Sequence, residues 1–199
     1  KSGAEIRIIM TKNACEFVTP FTFKAVSNSR VSVDMFDLNN PIEHIELADW
    51  ADFTVIAPAT ADIIGKLAHG IADDLLSSTV LAIKNKILVV PAMNVNMYGN
   101  SIVQNNIALL KKRGFLFMEP ESGRLACGYQ GKGRFPDVNE IFYYISSLID
   151  YSRDLIGKKV MITAGACREH LDPMRFMTNS SSGKMGLALA RAAYIRGAE

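Results

Sequence analysis

Along this chain, short runs of apolar and β-branched residues alternate with longer stretches in which apolar positions recur at helical spacing. The short runs are Ile6 to Met10, Val31 to Phe36, Phe53 to Ala57, Ile87 to Val90, Phe115 to Met118 and Val160 to Thr163. Such alternation predicts a parallel sheet covered by helices, because parallel neighbours must be joined by a crossover. A run as continuous as Ile87-Leu88-Val89-Val90 suits a strand buried on both faces.

Helix ends are also legible. Asn40 before Pro41, with Glu43 three residues after the cap, predicts a helix carrying His44 in or just after its first turn. Asp73 is expected to cap a helix from Asp74 to about Lys84, and Asn100 one that runs toward Arg113. Lys1 to Glu5 reads as the close of a helix and its glycine stop, so a preceding strand and helix are expected outside this sequence. After the polar stretch Asp150 to Asp154, a strand at Val160 to Thr163 and a helix from Lys184 to about Arg196 open a new unit. The expected domains are therefore 1–150 and 151–199, the second a truncated βα fragment of a larger α/β fold that cannot bury its own apolar face.

With 199 residues, 49% apolar and 21% charged, the chain can bury a core for one full domain and a remainder. A net charge of +2, with 22 Lys and Arg dispersed along the chain, argues against nucleic acid and for a small-molecule ligand. Cys15, Cys127 and Cys167 are widely separated and lack any C-x-x-C spacing, so neither disulfides nor zinc are expected and a reducing, cytoplasmic setting is. No apolar run approaches the roughly 18 residues of a membrane span, and the first residues do not form a secretory signal, so no membrane partner is expected.

The stretch Gly123 to Arg134 places Cys127 among four glycines and the cations Arg124, Lys132 and Arg134. Glycine is costly to order, so this composition predicts a loop that approaches or closes over a ligand, its cations drawing an anion toward the thiol. Read alone, Cys127 fits equally well as a small buried hydrophobe among solvated cations. Three strand ends, Thr11 to Ala14, Ala57 to Asp62 and Pro91 to Asn94, are small or polar. Open α/β sheets bind ligands at that edge, so the three together predict a cofactor cleft. His69 and His170 are expected on the surface or in packing, and Met93 and Met97 as core filling. Asn94 taken alone also reads as a turn former, and Asp73 and Asp74 suit a helix N-terminus without any metal. Ser180 to Lys184 is not a phosphate loop, since Met185 follows Gly183-Lys184 and Thr178 stands where the first glycine belongs.

These blocks carry a family resemblance. Pro91-Ala92-Met93-Asn94 with Met97-Tyr98, Leu125-Ala126-Cys127-Gly128, Ala57-Pro58-Ala59-Thr60-Ala61 leading to Gly70 through Leu76, and His44 to Ala48 resemble flavin-dependent phosphopantothenoylcysteine decarboxylase over residues 1 to about 150. Ile162 to Gly165, Arg168-Glu169, Asp172-Pro173 and Arg175 to Gly186 resemble the start of phosphopantothenate-cysteine ligase, the domain fused behind it in bacterial bifunctional coenzyme A biosynthesis proteins.

The resemblance implies a flavodoxin-like (Rossmann-like) doubly wound parallel sheet and FMN held by Thr11, by Thr60, Ala61, Asp62 and Ile63, and by Ala92. It implies His44 near flavin and substrate carboxylate, Asn94 on that carboxylate, Met97, Arg124 and Ala126 beside the substrate, and Cys127 as proton donor. The family's chemistry oxidises the thiol-bearing carbon to a thioaldehyde, which delocalises the charge left when CO2 departs; the enethiolate is then protonated and reduced. Arg175, Asn179 and Gly183 are the implied ligase positions, with CTP and Mg2+ belonging to the complete ligase domain and no ligase activity expected of this fragment. A homotrimer, or a larger assembly of trimers, is implied as well. The chain departs from the family pattern at Asp62, where Asn is usual, at Tyr98, where Trp is frequent, and at Ala166-Cys167, where Pro-Thr is common. Two other readings use the same scaffold: a decarboxylase of C-terminal peptide cysteines, and a non-enzymatic flavin-binding regulatory subunit.

Overall fold

The structure is a computed structural model that describes residues 3–36, 40–124, 128–149 and 154–199. It forms two compact units, Lys1–Pro136 and Asp137–Glu199.

In the first unit, β1 (Ile8–Ile9) leads through α1 (Lys12–Cys15) and α2 (Pro20–Ser27) to β2 (Val31–Ser32), which pairs with it in parallel. Then follow α3 (Glu43–Trp50), β3 (Phe53–Ala59), α4 (Ala61–His69), α5 (Leu75–Ala82), β4 (Lys86–Pro91), α6 (Val95–Gly99), α7 (Ser101–Lys112) and β5 (Leu116–Phe117). β3, β4 and β5 form a second parallel group in that order, with Val55 opposite Leu88 and Val89 opposite Phe117. Every pairing among these five strands is thus parallel, within a two-stranded and a three-stranded group, as their alternation with helices predicts.

The centre is β4, where Leu88, Val89 and Val90 are completely buried. α4 turns Ile63, Ile64, Leu67 and Ala68 toward the sheet, a spacing that leaves its other face to solvent. Ile107 and Leu110 of α7 join Ile56, Ile64 and Val89 in the same cluster. Burying each large side chain is worth about 1.5–3 kcal/mol, so this cluster is what holds the sheet edge in place.

Two helix starts differ from expectation. α5 is capped by Asp74 and not Asp73: Asp74 Oδ1 accepts from the Ser77 amide at 2.7 Å, and Ser77 Oγ reaches back to the Asp74 amide, completing a capping box. Asp73 instead pairs with Lys66 Nζ at 2.9 Å. Asn40 does not cap α3, which starts at Glu43 behind Ile42 and has no side-chain cap; the Asn40 amide donates to Glu46 at 2.6 Å. Asn100 caps α7 as predicted, accepting from the Ile102 amide at 2.9 Å.

The glycine-rich stretch is the largest departure. Its described residues form an antiparallel hairpin, β6 (Glu121–Arg124) with β7 (Gln130–Arg134), and not an irregular loop. Two of its glycines serve packing: a Cβ on Gly133 would stand 2.3 Å from the Met93 carbonyl oxygen, and one on Gly131 would stand 2.7 Å from Val95 Cγ2.

The second unit holds α8 (Val138–Leu148), the antiparallel pair β8 (Arg168–His170) and β9 (Phe176–Thr178), and α9 (Lys184–Ile195). α8 packs with α9; Arg191 pairs with Glu140 and lies 5.0 Å over the Tyr143 ring. The expected strand at Val160 to Thr163 is not formed. Val160 donates to the Glu199 carbonyl at 3.0 Å, but no ladder continues from it among the described residues. This segment instead approaches α9 at Gly186, where an added Cβ would lie 2.6 Å from the Thr163 carbonyl oxygen.

Candidate functional site

The strand ends of the first unit are built by helix capping. Thr11 caps α1 by accepting from the Ala14 amide at 3.1 Å, and Thr60 caps α4 by accepting from the Ile63 amide at 3.4 Å. Asn94 caps α6, its Oδ1 accepting from the Asn96 amide at 2.8 Å. Register then joins two of these ends: Ala59 lies opposite Pro91, and the Ala92 amide donates to the Ala59 carbonyl at 3.0 Å. Thr60, Ala61, Asp62 and Ile63 therefore share one sheet edge with Ala92 and Asn94. Thr11 stands at the end of the separate β1–β2 pair.

This edge is lined with small side chains. Ala57, Pro58 and Thr60 are exposed at the end of an otherwise buried sheet, and the Ala57–Pro58 peptide is cis. The side chain of Ile63 is buried in the core, so only its backbone faces the edge. Met97 is exposed, at 48%, and does not fill the core as its spacing from Met93 suggested; Met93 does pack there. The Met93 amide donates to the Gly133 carbonyl at 3.0 Å, which holds β7 against the turn that carries Asn94. Arg124, exposed at the end of β6, is brought to the same hairpin. Ala126 and Cys127 lie outside the described residues.

Charge at the site differs from the sequence expectation. The Lys132 ammonium is taken by a carboxylate: its Nζ pairs with Glu119 Oε2 at 2.7 Å. Glu119 also accepts from Tyr98 Oη at 2.9 Å and pairs with Lys111 at 3.3 Å. The Lys132 ammonium, helped by Tyr98 and Lys111, holds the Glu119 carboxyl down at about 2. Burial, then the adjacent carboxylate, pushes the Tyr98 phenol up to about 12.

Asp62, the departure from the family pattern, lies 3.7 Å from Lys66 one helical turn on. Lys66 also reaches Asp73 and Asp74, and these bonds, the one to Asp73 foremost, raise its pKa. Asp62 thus brings a charge whose partner is four residues away on the same helix, a pair the sequence spacing makes visible. His69 and His170 are exposed; His170 packs against Phe176 with ring centres 5.8 Å apart. No group of His, Cys, Asp or Glu among the described residues is arranged to hold a metal ion.

His44 is the second residue of α3 and its Nδ1 is buried with no hydrogen-bond partner among the described residues. A buried polar atom left over in this way is costly unless a ligand completes it. Small, exposed side chains at the sheet edge and an unanswered imidazole nitrogen fit a flat polar cofactor such as FMN. Sequence reasoning missed Glu43 as a buried carboxylate: it is 3% exposed, accepts from Ser32 Oγ and pairs with Arg30 at 2.9 Å. No local signal marks it, because Ser32 and Arg30 reach Glu43 from the segment at β2, 11 or more positions away along the chain.

In the second unit, Arg175 is bound to Asp172 at 2.6 Å, Asn179 Oδ1 accepts from the Ser181 amide at 3.0 Å, and Gly183 opens α9 at a φ of 73°. An added Cβ at Gly183 would stand 3.1 Å from the Gly165 amide nitrogen, so the two glycine loops touch.

Comparison with known proteins accords with this geometry. The chain is 50% identical over 202 residues to the Coenzyme A biosynthesis bifunctional protein CoaBC of Bacillus subtilis (strain 168), covering 100% of this chain and 50% of that protein. It is 44% identical over 198 residues to the protein of the same name from Escherichia coli (strain K12), covering 98% of this chain and 49% of the relative. The chain thus spans about half the length of the curated relatives it matches. Among solved structures, a PPC decarboxylase mutant complexed with pantothenoylaminoethenethiol superposes with a TM-score of 0.63 at 30% identity, over 71% of this chain and 81% of that one. The FMN-dependent cysteine decarboxylase SpaF gives 0.60 at 34% identity, over 69% and 75%. Residues 155–199 match the DNA/pantothenate metabolism flavoprotein C-terminal domain. Residues 1–150 match the Flavoprotein family throughout, and to that family, with its flavodoxin-like parallel fold, this chain belongs.

Proposed function

We propose that this chain carries the FMN-dependent decarboxylase that converts 4′-phospho-N-pantothenoylcysteine to 4′-phosphopantetheine in coenzyme A biosynthesis, within a bifunctional protein whose complete ligase domain uses CTP and Mg2+. The carrying observation is the Ala59–Ala92 bond, which joins the capped start of α4, Thr60 to Ile63, to the Asn94 turn at one sheet edge. FMN bound along that edge, against Thr11, Thr60 to Ile63 and Ala92, would supply the two-electron sink and source that the reaction requires.

The chain's own residues then have separable tasks. Asn94, oriented by its bond to Asn96, presents its amide to the substrate carboxylate. His44 brings its buried, unanswered Nδ1 to the same carboxylate and the cofactor. Arg124, exposed on β6, attracts the substrate's anionic end, and Met97 and Ala126 line its path. Cys127 delivers the proton to carbon. Domains dividing near residue 150, an assembly built on a homotrimer and a cytoplasmic location belong to the same proposal; no described helix is long and apolar enough to cross a membrane.

The test uses the full-length protein reconstituted with FMN. In a single turnover, Cys127→Ser is expected to oxidise substrate and release CO2 once per bound FMN at near the normal rate, leaving the enethiol unreduced and the two electrons on the cofactor. Normal phosphopantetheine formation by that variant would remove Cys127 from its role. Faster turnover of a peptide ending in cysteine would move the substrate to the peptide class, and bound FMN with no turnover of either would favour a regulatory subunit.

A further inference from the structure

We propose that Glu43 is a positioning residue for His44: anchored to Ser32 and Arg30, it sets where α3 starts and so where the imidazole points. The inference rests on the reading of His44 given above.

A carboxylate that is 3% exposed is tolerable only if its charge is answered. Here a single oxygen, Oε1, accepts from Ser32 Oγ and meets the Arg30 guanidinium at 2.9 Å. Both partners come from one short segment, Arg30 just before β2 and Ser32 within it, so the same stretch of chain presents them together. α3 needs such an anchor because it lacks the usual one: Ile42 precedes it with no side-chain cap, and an uncapped first turn frays. Among the described residues, the bonds from Asn40 and Arg7 to Glu46, and the 3.9 Å approach of Arg30 to Glu46, are exposed and hold weakly.

His44 follows Glu43 directly, and its Nδ1 makes no orienting bond among the described residues. A catalytic imidazole is often aimed by a partner on its second nitrogen; here the aim of Nδ1 is inherited from the backbone of α3. Adjacent helical residues do not face each other, so Glu43 acts through the helix start and not by touching the ring.

The test compares Glu43→Ala, Glu43→Gln, His44→Asn and the double variant Glu43→Ala/His44→Asn in the FMN-loaded full-length protein. Glu43→Ala is expected to lower kcat by about ten- to a hundredfold, the loss typical of a slightly misplaced group, with KM and the FMN dissociation constant nearly unchanged. Glu43→Gln should recover most of kcat, because its amide oxygen still accepts from Ser32 and Arg30. In the His44→Asn background the Glu43→Ala loss should vanish, whereas a merely structural role would lower the residual rate by the same factor again. Wild-type kcat in Glu43→Ala, or an undiminished loss in the double variant, would overturn the proposal while His44→Asn still reports on His44 itself; wild-type turnover by His44→Asn would overturn both. Should Glu43→Ala fail to fold, Ser32→Ala, which keeps the Arg30 pair, must show a smaller kcat loss with the same dependence on His44, and additivity there counts against the idea.

Discussion

At Gly133, a Cβ would stand 2.3 Å from the Met93 carbonyl oxygen, while at Gly128, with φ 85°, it would meet nothing among the described residues within 4 Å. The two glycines are therefore needed for different reasons, close approach at one and a left-handed backbone at the other. Gly128→Ala is expected to cost about 1–2 kcal/mol, the left-handed penalty alone. Gly133→Ala must in addition push β7 off the Asn94 turn, and should cost more, about 3 kcal/mol or above. Urea unfolding of both variants checks this, and equal costs would mean that the hairpin is not seated as described. Nearby, Glu119 has its carboxyl held from the ordinary 4.5 down to about 2. A depressed carboxylate contributes stability that is complete above its unfolded pKa and lost as pH falls through the folded one. Wild type should therefore lose more stability than Glu119→Gln between about pH 4.5 and pH 2. The pair with Lys132 is half exposed, so the difference will be small, on the order of 1 kcal/mol or less. Parallel acid denaturation curves would reject the pairing. Lys132 also shows what residue type alone leaves out: as sequence it is a cation five positions from Cys127, and only the fold supplies the Glu119 that pairs with it.

At the scale of elements, capping decides where the site's side chains sit. The sequence points to Asp73 as the cap of α5, yet it is Asp74 that bonds the Ser77 amide. Burial opposes ionisation of Asp74, but Ser77 and Lys66 outweigh it and hold the carboxyl below its ordinary value. Asp74→Ala should thus destabilise by about 1 kcal/mol or more, the usual worth of an N-cap, whereas Asp73→Ala loses only a half-exposed ion pair and should fall within about 0.5 kcal/mol. Thermal melts of the two single variants decide, and the reverse order would restore Asp73 as the cap. Strands at β3 and β4, and the helix α7, were legible because their apolar runs are strong and Asn100 marks where α7 starts. The β6–β7 hairpin was not, since Gly123, Gly131 and Gly133 have no strand propensity; its ladder forms because the glycines let β7 lie on the Met93–Val95 backbone.

For the whole molecule, the division into Lys1–Pro136 and Asp137–Glu199 puts α8 with α9. A disturbance in α9 should then be felt in α8. Gly186→Ala, which would force a Cβ to 2.6 Å from Ala164 Cβ and the Thr163 carbonyl, is expected to raise hydrogen exchange in Val138–Leu148 and leave β3 and β4 at wild-type protection. Unchanged exchange in α8 would place that helix with the first unit instead.

What the sequence by itself determined is the alternation of strand and helix, the central β4, the helix starts at Ser101 and Lys184, and the blocks that carry Thr60, Ala92, Asn94 and His44. These are encoded in spacing and in capping chemistry that act over a few residues. Tertiary structure alone decided that β3 and β4 bring Thr60 and Ala92 to one edge, that Glu119 takes Lys132, and that Glu43 is buried against Ser32 and Arg30. Each of these joins residues 11 or more positions apart, and a contact at that separation is fixed by which faces can be buried together, something local pattern does not specify.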